Sequence, residues 1–187
     1  MPDFNEFEQL LSLDQAVLDE IVREGELRLS SQFETATAAD QRALTLIGFQ
    51  STAATASIGG SVALLLADKP ESFLIAVGFF LTFGLLVAAF KAMDTVRPKL
   101  FGFPGNYPAN WFPAEWASFK SAPTDLSLKR ARVEQCCGLD SRIKDNLATL
   151  EQNAKSVKLS IDTTFWIIAM TFLFVMGYTI WHAIKPV

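Results

Sequence analysis

The sequence predicts an all-α membrane protein with three transmembrane helices, the N-terminus inside and the C-terminus outside. A helical cytosolic domain, formed by an N-terminal helix and a helix over 124–161, completes the expected fold. Three observations carry this reading. Ala43–Ala67, Phe73–Phe90 and Thr163–Ile184 are apolar runs about as long as the roughly 20 residues a helix needs to cross a bilayer core. Of the 187 residues, 50% are hydrophobic, 16 are Phe and 4 are Trp, and the mean hydropathy is +0.26, values of a membrane chain rather than a soluble one. The basic residues are also unevenly placed. Arg23, Arg28 and Arg42 precede the first run, Lys69 alone lies between the first two, Lys185 alone follows the third, and all others fall between the second and third. Cytoplasmic segments hold the basic excess, which sets the orientation. The segments so defined are 1–42, 43–92, 93–161 and 162–187.

The start, MPDFNEFEQL, is acidic and precedes no short apolar core, so no cleavable signal peptide is expected. Ser12 followed by Gln15 is a capping-box pattern that starts a helix at about Leu13. Leu18, Ile21, Val22, Leu29 and Phe33 recur at roughly helical spacing, with Gly25 the weak point. That helix is expected to continue into the first run. Ala67-Asp68-Lys69-Pro70-Glu71 then makes a tight turn.

The first run differs from the other two, because Thr45, Gln50, Ser51, Thr52, Thr55, Ser57 and Ser61 alternate with Gly48, Gly59 and Gly60. Small residues repeating every four positions let helices approach closely, and hydroxyls bond across such contacts. The run is either packed inside a three-helix bundle or lines a pore built from several copies. On the pore reading, Gly48, Gln50, Ser51, Thr52, Thr55 and Gly59 form the pore and oligomer interface. The second run, with Phe73, Phe79, Phe80, Phe83 and Phe90, suits lipid. No acidic or basic residue lies within a span, which argues against proton-coupled transport. Charge selection and gating then fall to the ends, at Asp40 and Arg42 or at Asp68 and Lys69.

Residues 97–123 interleave Pro98, Pro104, Pro108, Pro113 and Pro123 with Phe101, Phe103, Tyr107, Trp111, Phe112 and Trp116. This is either an irregular segment tucked against helices or headgroups or an aromatic platform for nucleobases beside Arg97, Lys99 and Lys120. A second long helix is expected from Thr124. Along it Ile143, Leu147, Leu150, Ala154, Val157 and Ile161 step by 4 and 3, an a/d seam open to an intramolecular partner or to other subunits. It feeds the third run, whose Trp166, Tyr178 and Trp181 sit at interfacial depths.

Cys136 and Cys137 are adjacent, a spacing that disfavours a mutual disulfide and fits buried, reduced thiols. A metal site would need more Cys or His partners, and the single His182 lies far off in sequence. No metal or cofactor is expected. Phosphate-binding and nucleophile motifs are missing, so an enzyme is not expected. Lys129, Arg130 and Arg132 lie within one turn, and Arg142 and Lys144 about three turns later. These residues are either a solvated face obeying the positive-inside rule or, repeated around an axis, a site for phosphates.

At Ala38-Ala39-Asp40-Gln41-Arg42-Ala43-Leu44, and again at Asn153-Ala154-Lys155, the chain resembles small bacterial membrane effectors of nucleotide-signalling anti-phage systems. The order of polar helix, hairpin, cytosolic helix and final span is similar to that of the Hailong effectors and of the Pycsar and CBASS membrane effectors. The resemblance implies antiviral defence by abortive infection, through a homo-oligomeric, tetrameric ion channel of the bacterial inner membrane. It implies a nucleotide or oligodeoxyadenylate messenger from a cognate nucleotidyltransferase, bound through Lys129, Arg130, Arg132, Arg142 and Lys144. No separate cyclic-nucleotide-binding domain is recognisable, which favours a ligand held by cytosolic helices of several subunits. The competing expectation is a non-conducting membrane scaffold that docks a soluble partner.

Overall fold

The computed structural model describes residues 4–105 and 124–184. Every regular element among them is an α-helix: α1 (Phe4–Ser12), α2 (Gln15–Leu65), α3 (Ser72–Val96) and α4 (Thr124–Ile184). The chain divides into two compact units. Met1–Thr37 with Lys99–Leu150 forms the first, and Ala38–Pro98 with Glu151–Val187 the second.

The first turn of α2 departs from the capping expectation. Ser12 ends α1, its Oγ donating to the Gln9 carbonyl at 2.7 Å, so it is unable to cap the helix that follows. Instead the Asp14 carbonyl accepts the N–H groups of Val17 and Leu18, both at 3.1 Å, and opens α2. The extra helix α1 is amphipathic, and its Phe7, Leu10 and Leu11 pack on the core of the first unit.

That core joins Leu18, Val22 and Leu29 of α2 to Val133, Cys136 and Leu139 of α4. The α2 residues step by 4 and then 7, the period of a helix seam. Gly25 belongs to the same seam: a Cβ there would meet Leu139 Cδ1 at 3.0 Å, so its hydrogen lets α4 come close. Ile21 and Phe33 lie outside this cluster, at 36% and 43% exposure.

In the second unit the turn after α2 leads into α3, whose Glu71 carbonyl receives the Ile75 N–H at 3.1 Å. α3 ends because Pro98 follows. Arg97 adopts φ −62° and ψ 138°, the extended conformation forced on a residue before proline. Ile75, Thr82, Gly84, Leu85, Ala88, Ala89, Ala92 and Thr95 form its buried face. Gly84 is needed there, since a Cβ would collide with Ile167 of α4.

Two described helices are long and apolar enough to cross a membrane: α3, and α4 over Leu128–Ile184. Phe83, Phe165, Trp166, Phe172 and Trp181 are largely exposed. Apolar surface of this extent is what a lipid-facing protein displays.

Candidate functional site

The polar residues of the first apolar run separate onto two faces of α2. Gln50 lies on the inner one. It is 0% exposed, and its Nε2 donates to Ser160 Oγ at 3.0 Å and Thr164 Oγ1 at 2.7 Å, both on α4. Ser160 passes its own hydrogen to the Ala88 carbonyl of α3 at 2.7 Å, and Thr164 passes its hydrogen to the Ser160 carbonyl at 2.9 Å. Gln50 and Ser160 together thus tie three helices, the first joining α2 to α4 and the second joining α4 to α3. Gln50 Oε1 is buried with no partner among the described residues. Of the two expectations for this run, the pore reading has Gln50 face water between copies and the bundle reading has it packed within the chain. Its position is that of the bundle reading, because an amide that can bond within its own chain avoids the cost of facing lipid.

Further hydroxyls extend this inner seam. Ser57 Oγ donates to the Gly78 carbonyl at 2.9 Å. Thr82 Oγ1 reaches the carbonyls of Gly78 at 2.9 Å and Ala54 at 3.4 Å. Thr95 Oγ1 reaches the Asn153 carbonyl at 3.4 Å. Gly78 accommodates Ser61, whose Oγ occupies the space a Cβ would need.

The outer face carries Gly48, Thr52, Thr55 and Gly59, all exposed. Their spacing of 4, 3 and 4 holds them on one side of the helix, about 200° of rotation from Gln50 when measured at Gly48. A Cβ added at Gly48, Gly59 or Gly60 would meet no atom within 4 Å. Thr52 Oγ1 donates to the Gly48 carbonyl and Thr55 Oγ1 to the Ser51 carbonyl, each at 2.9 Å. Thr45 does the same to Gln41 at 2.9 Å. These bonds satisfy the hydroxyl hydrogens inside the helix and leave the oxygens with acceptor capacity. Ser51, half-buried, borders the two faces.

Asp40 is half-buried and Arg42 exposed, and no ion pair joins them among the described residues. The five basic residues assigned to phosphate divide sharply. Arg132 Nε faces Asp19 Oδ1 at 2.9 Å, while its NH1 donates to Gln135 Oε1 at 3.0 Å. Gln135 in turn donates to Glu26 at 3.2 Å, so Arg132 joins α4 to α2 within the first unit. Arg142 donates to the Gly105 carbonyl at 2.9 Å, and Lys144 pairs with Asp140 at 2.6 Å. Lys129 is half-buried and Arg130 exposed, without an ion-pair partner among the described residues. Tyr107, Trp111, Phe112, Trp116 and Lys120, assigned to the aromatic platform, lie outside the described residues. Phe101 and Phe103 contact Phe33 of α2, with ring centroids 6.4 and 5.4 Å away.

The sequence reading missed Asn146, which is buried and grips the backbone at Gly102. A polar residue at seam spacing just before a leucine was the available signal. Among the described residues no cluster of His, Cys, Asp and Glu could hold a metal ion. Comparison with protein-family models, with curated proteins and with solved structures finds no match to this chain.

Proposed function

We propose that the chain is a homo-oligomeric ion channel whose pore-forming contact is the outer face of α2. The reading takes Ala43–Ala67 as a third membrane span, with the N-terminus and 93–161 in the cytoplasm, as the basic residues favour. One observation carries it. Gly48, Thr52, Thr55 and Gly59 form an unoccupied strip of small and hydroxyl residues in an otherwise bulky apolar surface. Helices of neighbouring copies can approach along such a strip, and threonine oxygens with free acceptor capacity can replace part of an ion's hydration shell. Gln50 then acts inside each copy, holding the bundle that presents the strip.

The proposal extends to an anionic nucleotide as the signal, sensed by the first unit, with the half-buried Lys129 and the exposed Arg130 as its cations and Asp40 and Arg42 at the cytoplasmic end of α2. Depolarisation of the inner membrane during phage infection is the consequence of opening. The test is reconstitution of the purified chain in liposomes holding a potential-sensitive dye. Ion flux that depends on the chain and changes when an oligodeoxyadenylate is added supports the reading. Silent vesicles with and without nucleotide overturn it, and a stoichiometric soluble partner recovered from the same preparation would assign the chain to membrane scaffolding.

A further inference from the structure

The backbone that follows α3 enters the first unit at Lys99 and is held there by α4. Only Arg97 and Pro98 separate α3 from Lys99. Lys99–Gly105 forms neither helix nor strand, so its peptide groups need partners from other elements. Asn146 of α4, 1% exposed, supplies two at one residue. Its Oδ1 accepts the Gly102 N–H at 2.8 Å, and its Nδ2 donates to the Gly102 carbonyl at 2.9 Å. One turn earlier on α4, Arg142 donates to the Gly105 carbonyl at 2.9 Å. A Cβ at Gly102 would lie 2.9 Å from Arg142 Cβ and 3.1 Å from its Cγ, so only glycine lets the strand of chain approach this closely. Phe33 of α2 holds the same stretch through Phe101 and Phe103. The side-chain amide of Asn146 is therefore committed to a single backbone position.

We propose that residues 99–105 are a latch: closed by Asn146 and Arg142, it restrains the last turn of α3, and its release is the step by which the first unit alters the membrane helices. This regulation rests on the channel reading above. The lever is short, since two residues, one of them proline, connect the gripped backbone to the helix. Proline at 98 fixes φ and stiffens that connection. The latch is also of the right strength for a switch. Two neutral hydrogen bonds from Asn146 and one from the charged Arg142 guanidinium hold the segment without making it permanent.

The experiment uses the full chain in lipid nanodiscs and follows amide hydrogen exchange in wild type, Asn146→Ala and Gly102→Ala. The first variant removes the grip, and the second leaves Asn146 intact but obstructs the approach. Exchange over 99–105 is expected to accelerate by about tenfold or more in both, with the last turn of α3, Lys91–Val96, accelerating alongside. Liposome flux is expected to shift in the same direction for the two variants. If 99–105 opens in Gly102→Ala while Lys91–Val96 keeps wild-type protection, the latch is refuted. Wild-type 99–105 exchanging as fast as the variants refutes it equally. Where Asn146→Ala loses helicity, Gly102→Ala decides alone. Absence of flux in every sample removes the channel reading, while the exchange of Lys91–Val96 still decides whether the segment restrains α3.

Discussion

Gln50 and Gly59 lie nine residues apart in one helix, and their environments predict opposite sensitivities. The inner position of Gln50 means that leucine there loses two interhelical hydrogen bonds but also removes the orphaned Oε1. Interhelical bonds in bilayers average about 0.6 kcal/mol, so Gln50→Leu is expected to change thermal stability in detergent by no more than about 1 kcal/mol and to leave flux intact. Gly59→Leu fills the open strip and is expected to abolish flux while the monomer keeps its helicity by circular dichroism. A dead Gln50→Leu with a working Gly59→Leu would reverse the two faces. Cys136 offers a separate residue-scale test. Burial raises its pKa above the ordinary thiol value of 9.0, and the neighbouring Cys137 adds to the effect. A raised pKa in the folded chain means that the unfolded thiol ionises first. The stabilising contribution is therefore complete below about pH 9 and is lost as pH rises through the folded value. Thermal melts should decline on that alkaline side in wild type and decline less in Cys136→Ala, and a parallel decline in both would assign the loss to other groups.

At the scale of the element, α4 shows what could be read from sequence and what could not. The period was legible: Ile143, Leu150 and Val157 are each at least half-buried, as an a/d seam requires. The apolar pattern assigns the alternate positions to Leu147, Ala154 and Ile161, whereas the buried residues are Asn146, Asn153 and Ser160, one position earlier in each case. Apolar content misleads because the inner positions are filled by polar side chains with backbone partners: Asn146 bonds both peptide groups of Gly102 and Ser160 bonds the Ala88 carbonyl, and a buried polar group needs such a partner. Leu147 and Ile161 are accordingly 44% and 50% exposed. The two-faced character of α2 was hidden for the same reason, since small and hydroxyl residues occur on both sides and only contacts with α3 and α4 separate them. The shifted seam is testable by denaturation in mild detergent. Leu147→Ser and Ile161→Ser should each alter stability by less than about 0.5 kcal/mol, while Leu139→Ala, in the core of the first unit, should cost about 2–5 kcal/mol. Equal losses at Leu147 and Leu139 would restore the apolar register. Close approach of α3 and α4 is a second element-scale constraint. Gly84→Ala should destabilise by about 1–3 kcal/mol through overpacking against Ile167, and Ile167→Val should recover part of that loss because the two side chains share one contact.

For the whole molecule the proposed channel turns on whether copies assemble, and how many. Among the described residues each unit has its own interior, the first an apolar cluster and the second a hydrogen-bonded polar seam. What remains unfilled is the strip from Gly48 to Gly59. A self-association driven there depends on close backbone approach, with little hydrophobic driving force between helices already in lipid. It should therefore be sensitive to bulk and insensitive to polarity. Mass photometry or light scattering of the chain in nanodiscs is expected to show a discrete oligomer for wild type and for Thr55→Ser, which keeps the hydroxyl and shrinks the side chain. Gly48→Leu and Gly59→Leu are each expected to shift the population to monomer, and Leu66→Ala, on the exposed end of the same run, to leave it unchanged. An oligomer that survives both leucine substitutions would place the contact on another helix and leave the α2 strip facing lipid. Loss of assembly together with loss of flux in the same two variants would tie the conducting state to this one face of α2.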